Sequence, residues 1–297
     1  MIRTVIGSDG RRLAVETWGT PDGVPVFMLH GTPGSRRTPH PKHSVLYRQG
    51  IHLISYDRPG YGDSDPLPGR SVAHAAADVA AIADALGIGV FAVFGRSGGA
   101  PHALACAALL PYRVTRAAAL VPLAPRDASG LDWYGGMTDS NVTAYRCAEA
   151  GHRVLAARIE ATAARIRDNP VSEMPFNDRD LPKADQRVVA DYSIRMLLVN
   201  SFADAVKSSS FGWIDDTMAF TAPWEFDLGH VFCPVLLWHG ELDTFSPVAH
   251  TRWLADRIPG ANLVIEEDAA HFGALAALPD VLEWLKEPPG EFRATAA

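Results

Sequence analysis

The chain has 297 residues, 47% hydrophobic and 21% charged, values of a globular protein with a large core and room for one subdomain inserted into a catalytic domain. Its net charge of −7, with 27 basic residues scattered along the chain, argues against nucleic acid or an anionic membrane as partner. There is no charged-then-apolar leader and no apolar run near the roughly 18 residues of a membrane span, and the three cysteines, Cys106, Cys147 and Cys233, form no CxxC pair, so a reducing, cytoplasmic location is expected.

Ile2 to Ile6 and Leu13 to Trp18 are β-prone runs around Ser8, Asp9 and Gly10, which predicts a hairpin at a sheet edge. Val24 to Leu29 and Ile51 to Tyr56 are continuous apolar runs, as central parallel strands buried on both faces require. From Ser71 to Leu86 the apolar period becomes helical, with Ser71 placed to cap and Gly87 to terminate. Val90 to Phe94 reads as the next strand, followed by Gly95-Arg96-Ser97-Gly98-Gly99 and an alanine-rich helix to about Leu110. Val114 to Val121, Val235 to Trp238 and Leu263 to Ile265 complete the strands. This strand and helix alternation predicts an α/β fold with a mostly parallel sheet and helices on both faces. Between about Leu123 and Val231 the alternation stops and helical stretches such as Val142 to Ile166 and Asp185 to Val206 take over, an inserted helical cap (123–231) between two parts of the core (1–122 and 232–297). The tail after Pro288-Pro289 is expected to fray.

Gly95-x-Ser97-x-Gly99 lies between a strand and a helix, the context in which this pentapeptide marks a nucleophile. A serine on so sharp a turn has a strained backbone and close chain neighbours, so the flanking positions need glycine. The same turn sets Ser97 at a helix N-terminus, where free N–H groups favour a developing anion. A hydroxyl nucleophile needs a base, and the base needs a group that holds its tautomer. Asp243 lies in the turn after a strand ending at His239-Gly240, and His271 lies in the loop after the last strand. The chain order Ser97, Asp243, His271 is that of the α/β-hydrolases.

The sequence resembles the α/β-hydrolase superfamily over nearly its whole length, in particular its capped esterase, dehalogenase-like and cofactor-free haloperoxidase-like branches. His30-Gly31-Thr32-Pro33-Gly34-Ser35 resembles the family's oxyanion loop, Asp57-Arg58-Pro59-Gly60-Tyr61-Gly62-Asp63-Ser64 its glycine-rich turn, and His239-Gly240-x-x-Asp243 its acid loop. The resemblance implies the α/β-hydrolase fold and acyl transfer through Ser97, activated by His271 and oriented by Asp243. It implies an oxyanion hole of the Gly98 and Thr32 N–H groups, with Gly31 the competitor of Thr32. The serine excludes the carboxylate-nucleophile chemistry of the dehalogenase and epoxide hydrolase branches.

Arg96 departs from the family pattern. It either grips an anionic substrate group or pairs with a carboxylate beneath the sheet end, and the second is favoured because arginines near functional loops mostly hold the scaffold. His30 is expected to brace the oxyanion loop, Asp57 and Asp63 to brace their turn, and His239 to be structural. Asp127 is the rival acid in a less specific context. The remaining histidines show no metal spacing, and no cofactor pattern is present. The expected partner is a small, mostly apolar substrate with an ester or other activated acyl bond. Carbon–carbon or amide hydrolysis, peracid chemistry and a non-catalytic receptor on the same fold are the alternatives.

Overall fold

The computed structural model describes residues 1–171, 173–174 and 181–288. The tail expected to fray lies, past Pro288, outside the described residues. Eight strands, β1 (Ile2–Ile6), β2 (Arg12–Gly19), β3 (Val24–Leu29), β4 (Ile51–Tyr56), β5 (Phe91–Arg96), β6 (Val114–Leu120), β7 (Val235–Gly240) and β8 (Asn262–Glu266), form one sheet in the order β1-β2-β4-β3-β5-β6-β7-β8. β2 runs antiparallel to both β1 and β4, and every other pairing is parallel. The predicted hairpin thus puts only β1 at the edge, because β2 finds a second partner in β4.

Both faces of the central strands are covered, which explains their unbroken apolar runs. Along β3, Phe27 and Leu29 pack with Val79, Ile82 and Leu104 on one side, while Val26 and Met28 pack with Leu46 and Leu282 on the other. The helices on these faces are α1 (His43–Gln49), α2 (Ala75–Ala85) and α3 (Gly99–Leu109) in the first half of the chain. α3 is buried through almost all of its length, and its alanines let it lie close against β5 and β6.

Between β6 and β7 the described residues form α4 (Asp139–Glu149), α5 (His152–Asp168), α6 (Lys183–Val189), α7 (Tyr192–Val206) and α8 (Phe211–Thr221). Each helical stretch predicted here is two helices. Gly151, at φ 116°, separates α4 from α5, and Asp191 caps α7 by accepting the Ser193 and Ile194 N–H groups. α9 (Ala249–Ala255) and α10 (Leu278–Leu285) close the chain around β7 and β8. No described helix is long and apolar enough to cross a membrane.

Candidate active site

The parallel strands β3, β5, β6, β7 and β8 lie side by side, so the loops at their C-terminal ends converge in one crevice. At the end of β5, Ser97 adopts φ 55°, a left-handed conformation that L side chains rarely take. The flanking glycines follow from this bend. A Cβ on Gly95 would collide with the carbonyl of Gly99, and one on Gly99 would collide with the carbonyls of Leu29 and His30. The Ser97 N–H is spent on the Leu120 carbonyl at 2.8 Å. Among the described residues, the N–H groups of Gly98 and Thr32 donate to no protein acceptor.

Beyond β8, His271 Nδ1 lies 2.7 Å from Asp243 Oδ2. A carboxylate only accepts, so Nδ1 carries the proton and Nε2 keeps its lone pair. Asp243 is itself held by the Phe245 and Ser246 N–H groups at 2.7 and 3.1 Å. Burial works against its charge, but His271 and His239 outweigh it and keep the carboxyl well below the usual range. His239 is bonded to Thr251 Oγ1 and the Ser246 carbonyl, a bracing role for the acid loop. Asp127 lies in an exposed turn, and the carboxylate bonded to His271 is Asp243.

The loop that follows β3 is braced from both sides. His30 Nδ1 bonds to the Gly31 carbonyl at 2.8 Å and Nε2 accepts the Arg58 N–H at 3.1 Å; burial, then the Arg58 charge, hold the ring neutral. Arg58, fully buried, donates to the carbonyls of His30 and Gly31 and to Thr32 Oγ1. Asp216 on α8 closes the arrangement. It accepts Thr32 Oγ1 at 2.6 Å, Arg58 Nη2 at 2.6 Å and Tyr61 Oη at 2.8 Å, pairs with Arg70 Nη1 at 2.6 Å, and has His102 Nε2 at 3.2 Å. Burial opposes its charge, yet Arg58 and Arg70 hold the carboxyl well below the usual range, while burial and Arg58 push His102 down to about 4. Asp57, also buried, accepts the backbone N–H groups of Arg36 and Asp63 and pairs with the Arg36 guanidinium.

A second carboxylate from the inserted helices does the same for the loop that carries His271. Asp185 on α6 accepts the Phe272 N–H at 2.7 Å, next to His271. Asp216, Asp185 and Arg58 were not anticipated as site residues. Asp185 sits in an ordinary polar helix and gives no signal. Asp216 does give one: Asp215-Asp216 interrupts the apolar stretch Phe211–Phe220, and a carboxylate buried in such a helix needs cationic partners.

A cavity of about 440 Å³ lies between these strand ends and the inserted helices. Gly31, Thr32, Arg96, Ser97, Gly98 and His271 all line it, opposite apolar side chains such as Ile159, Trp213 and Phe220. Phe220 and Thr32 press on Gly98, leaving no room for a Cβ there. The expected pairing of Arg96 with a carboxylate beneath the sheet is not what forms. Among the described residues no carboxylate lies within 4 Å of its guanidinium, which instead fronts the cavity with its Cζ 6.0 Å from the Phe272 ring centre. The two carboxylates whose charge reaches Arg96 are engaged elsewhere, Asp243 with His271 and Asp185 with the Phe272 N–H, and Arg96 lines the cavity. Among the described residues no three His, Cys, Asp or Glu side chains are placed to hold a metal. Cys106, Cys147 and Cys233 are all free thiols.

The α/β hydrolase fold family matches residues 24–277 of this chain. The chain is 28% identical over 285 residues to a non-heme chloroperoxidase of Streptomyces lividans, covering 94% of this chain and 96% of that protein. In three dimensions it is similar to the enol-lactonase of Burkholderia xenovorans LB400, with a TM-score of 0.70, 20% identity, and coverage of 96% of this chain and 100% of the other. It is equally similar to a bromoperoxidase of Bacillus anthracis, with a TM-score of 0.70, 21% identity, and coverage of 97% and 100%. The eight-stranded, mostly parallel sheet and the family match lead to one conclusion: the chain belongs to the α/β-hydrolase family.

Proposed function

We propose that this protein is a serine hydrolase that cleaves an ester or other activated acyl bond of a small, mostly apolar molecule through an acyl-enzyme, with residues 123–231 forming a cap over the site. The observation that carries the reading is the convergence of Ser97, bent to φ 55° at the end of β5, and His271, bonded to Asp243 at 2.7 Å, on one cavity. Ser97 Oγ attacks the acyl carbon, His271 Nε2 takes its proton and returns it to the leaving group, and water repeats the sequence on the acyl-enzyme. The charge that develops on the carbonyl oxygen is met by the free N–H groups of Gly98 and Thr32, backed by the N-terminus of α3. Asp243, kept ionised, stabilises the imidazolium and holds its tautomer.

Covalent labelling by a fluorophosphonate probe, run beside turnover of short p-nitrophenyl esters, tests this. Both should be present in the wild type and absent in Ser97→Ala with the melting temperature nearly unchanged; labelling that survives Ser97→Ala moves the nucleophile elsewhere. Absence of both in folded wild-type protein favours a ligand receptor. The near full-length similarity to a protein named non-heme chloroperoxidase supports a second reading, in which hydrogen peroxide replaces water on the acyl-enzyme and releases a peracid. Peroxide-dependent halogenation in acetate buffer reads this out.

A further inference from the structure

Among the described residues, the arginines that line the cavity outnumber the carboxylates. These are Arg96 and Arg158 against Glu173. Glu173 is paired with Arg165 at 2.9 Å, whereas neither Arg96 nor Arg158 has a carboxylate within 4 Å among the described residues. Arg158 stands exposed on α5 at the rim, while Arg96 lies inside, one residue before Ser97. Its Nη2 is 3.9 Å from where a Cβ on Gly31 would stand, and its Cζ is 6.0 Å from the Phe272 ring centre, the outer limit of a cation–π contact. The guanidinium is thus wedged between the oxyanion loop and the histidine loop with its five donors unspent on protein carboxylates.

An enclosed cation without a counter-ion is costly, and the cost falls when a ligand supplies the missing charge. Burial pulls Arg96 down to about 10, with Asp185 and Asp243 opposing the fall from a distance, so the group is still fully charged at neutral pH. We propose that Arg96 is a carboxylate-binding subsite, and that the natural substrate is a short ester carrying a carboxylate a few bonds from the scissile carbonyl. This rests on the serine-hydrolase reading and narrows its substrate class. The guanidinium fork matches a planar carboxylate in two parallel bonds. A dianionic phosphate fits less well, since Asp185 and Asp243 already act on Arg96 and would repel a second negative charge. Arg158 at the mouth adds attraction on approach, and Ile159, Trp213 and Phe220 cover the apolar middle of such a molecule.

The test compares isosteres. Monomethyl glutarate is set against methyl 5-methylhexanoate for a carboxylate on the acyl side, and 4-acetoxybutanoate against 4-methylpentyl acetate for one on the alcohol side, with acid release followed by pH-stat. In one of the two pairs the wild type should favour the anion in kcat/KM by tenfold or more, and Arg96→Met should cut that ratio about thirtyfold. Arg96→Lys keeps the charge, loses the fork, and should fall between. A scaffolding arginine would lower both members of a pair together and leave the ratios where they were, which overturns the proposal, as does the absence of any anion preference in wild type. Binding separates this from the catalytic reading. In the Ser97→Ala background, calorimetry should show the preferred anionic ester binding and its loss on adding Arg96→Met. That result holds even if fluorophosphonate labelling fails, and its absence sinks the subsite while leaving a labelled Ser97 intact.

Discussion

Thr32 Oγ1 donates to Asp216 Oδ2 at 2.6 Å, a bond that joins the loop after β3 to a helix 184 residues further along the chain. It ties that loop, whose Thr32 N–H meets no acceptor among the described residues, to a buried anion that two arginines neutralise. Breaking it at each end should give different results. Thr32→Val removes one donor from an anion that keeps Arg58, Arg70 and Tyr61, so kcat for a p-nitrophenyl ester should fall about tenfold with little change in melting temperature. Asp216→Asn strands two buried cations and should cost about 3–5 kcal/mol, a drop of roughly 10 °C by calorimetry. A Thr32→Val enzyme with full kcat would show that the side-chain bond does not set the donor.

Ser97 keeps a left-handed backbone for its position, and the strain should be measurable as stability held back. Ser97→Gly relieves a conformation costing about 1–2 kcal/mol against an entropic loss of about 0.5–1 kcal/mol. Ser97→Ala relieves nothing. In urea unfolding the glycine variant should therefore be the more stable of the two by about 1 kcal/mol; equal midpoints would mean that the bend is relaxed.

His250 links the pH scale to the start of the inserted segment. Its Nδ1 accepts the Ala124 N–H at 3.0 Å and its Nε2 donates to the Trp133 carbonyl at 3.0 Å, so a second proton would break the first bond. Burial pushes the ring down to about 4 from 6.5. The unfolded chain then binds a proton between these values that the folded chain refuses. Stability is untouched by this group above pH 6.5, declines as pH falls from there towards 4, and has lost its full share below. His250→Gln keeps an acceptor and a donor without the titration. Chemical unfolding between pH 7 and 4.5 should give a curve flatter than wild type by about 1.4 kcal/mol per pH unit near pH 5.

Gly212 on α8 touches Gly60 backbone to backbone, and its N–H donates to the Gly60 carbonyl at 3.1 Å. A Cβ there would stand 2.5 Å from the Tyr61 ring, the same residue that donates to Asp216. Alanine is the better helix former by about 1 kcal/mol, yet Gly212→Ala should destabilise by about 1–3 kcal/mol because α8 must back away. Slower fluorophosphonate labelling of Ser97 should accompany the lower melting temperature; an unchanged or raised melting temperature would show that α8 yields freely.

The parts of this molecule that repeat a local rule were readable in the chain. Buried parallel strands need apolar runs on both faces, and Val24–Leu29 and Ile51–Tyr56 supply them; the bend at Ser97 needs glycines two residues away on either side, and Gly95 and Gly99 supply those. Long-range electrostatics left fainter marks. Arg58 meets Asp216 only because α8 folds back over the glycine-rich turn, and no spacing in the chain encodes a pair 158 residues apart. The pairing of β2 with β4 and the breaks at Gly151 and Asp191 are set by packing that periodicity alone does not capture. The carboxylate pairing expected of Arg96 does not form among the described residues for a related reason: the acids whose charge reaches it are engaged elsewhere, Asp243 with His271 and Asp185 with the Phe272 N–H.

α8 has a divided allegiance. By position it is the last helix of the segment spliced between β6 and β7, but the partners of its Asp216, namely Thr32, Arg58, Tyr61, Arg70 and His102, all precede that splice. A chimera that trades the whole insert with a relative would import a foreign helix into an ion cluster it was never matched to. Cutting instead at Ser210 leaves α8 at home, and recombination between such enzymes, in the laboratory or in nature, should tolerate that crossover far better.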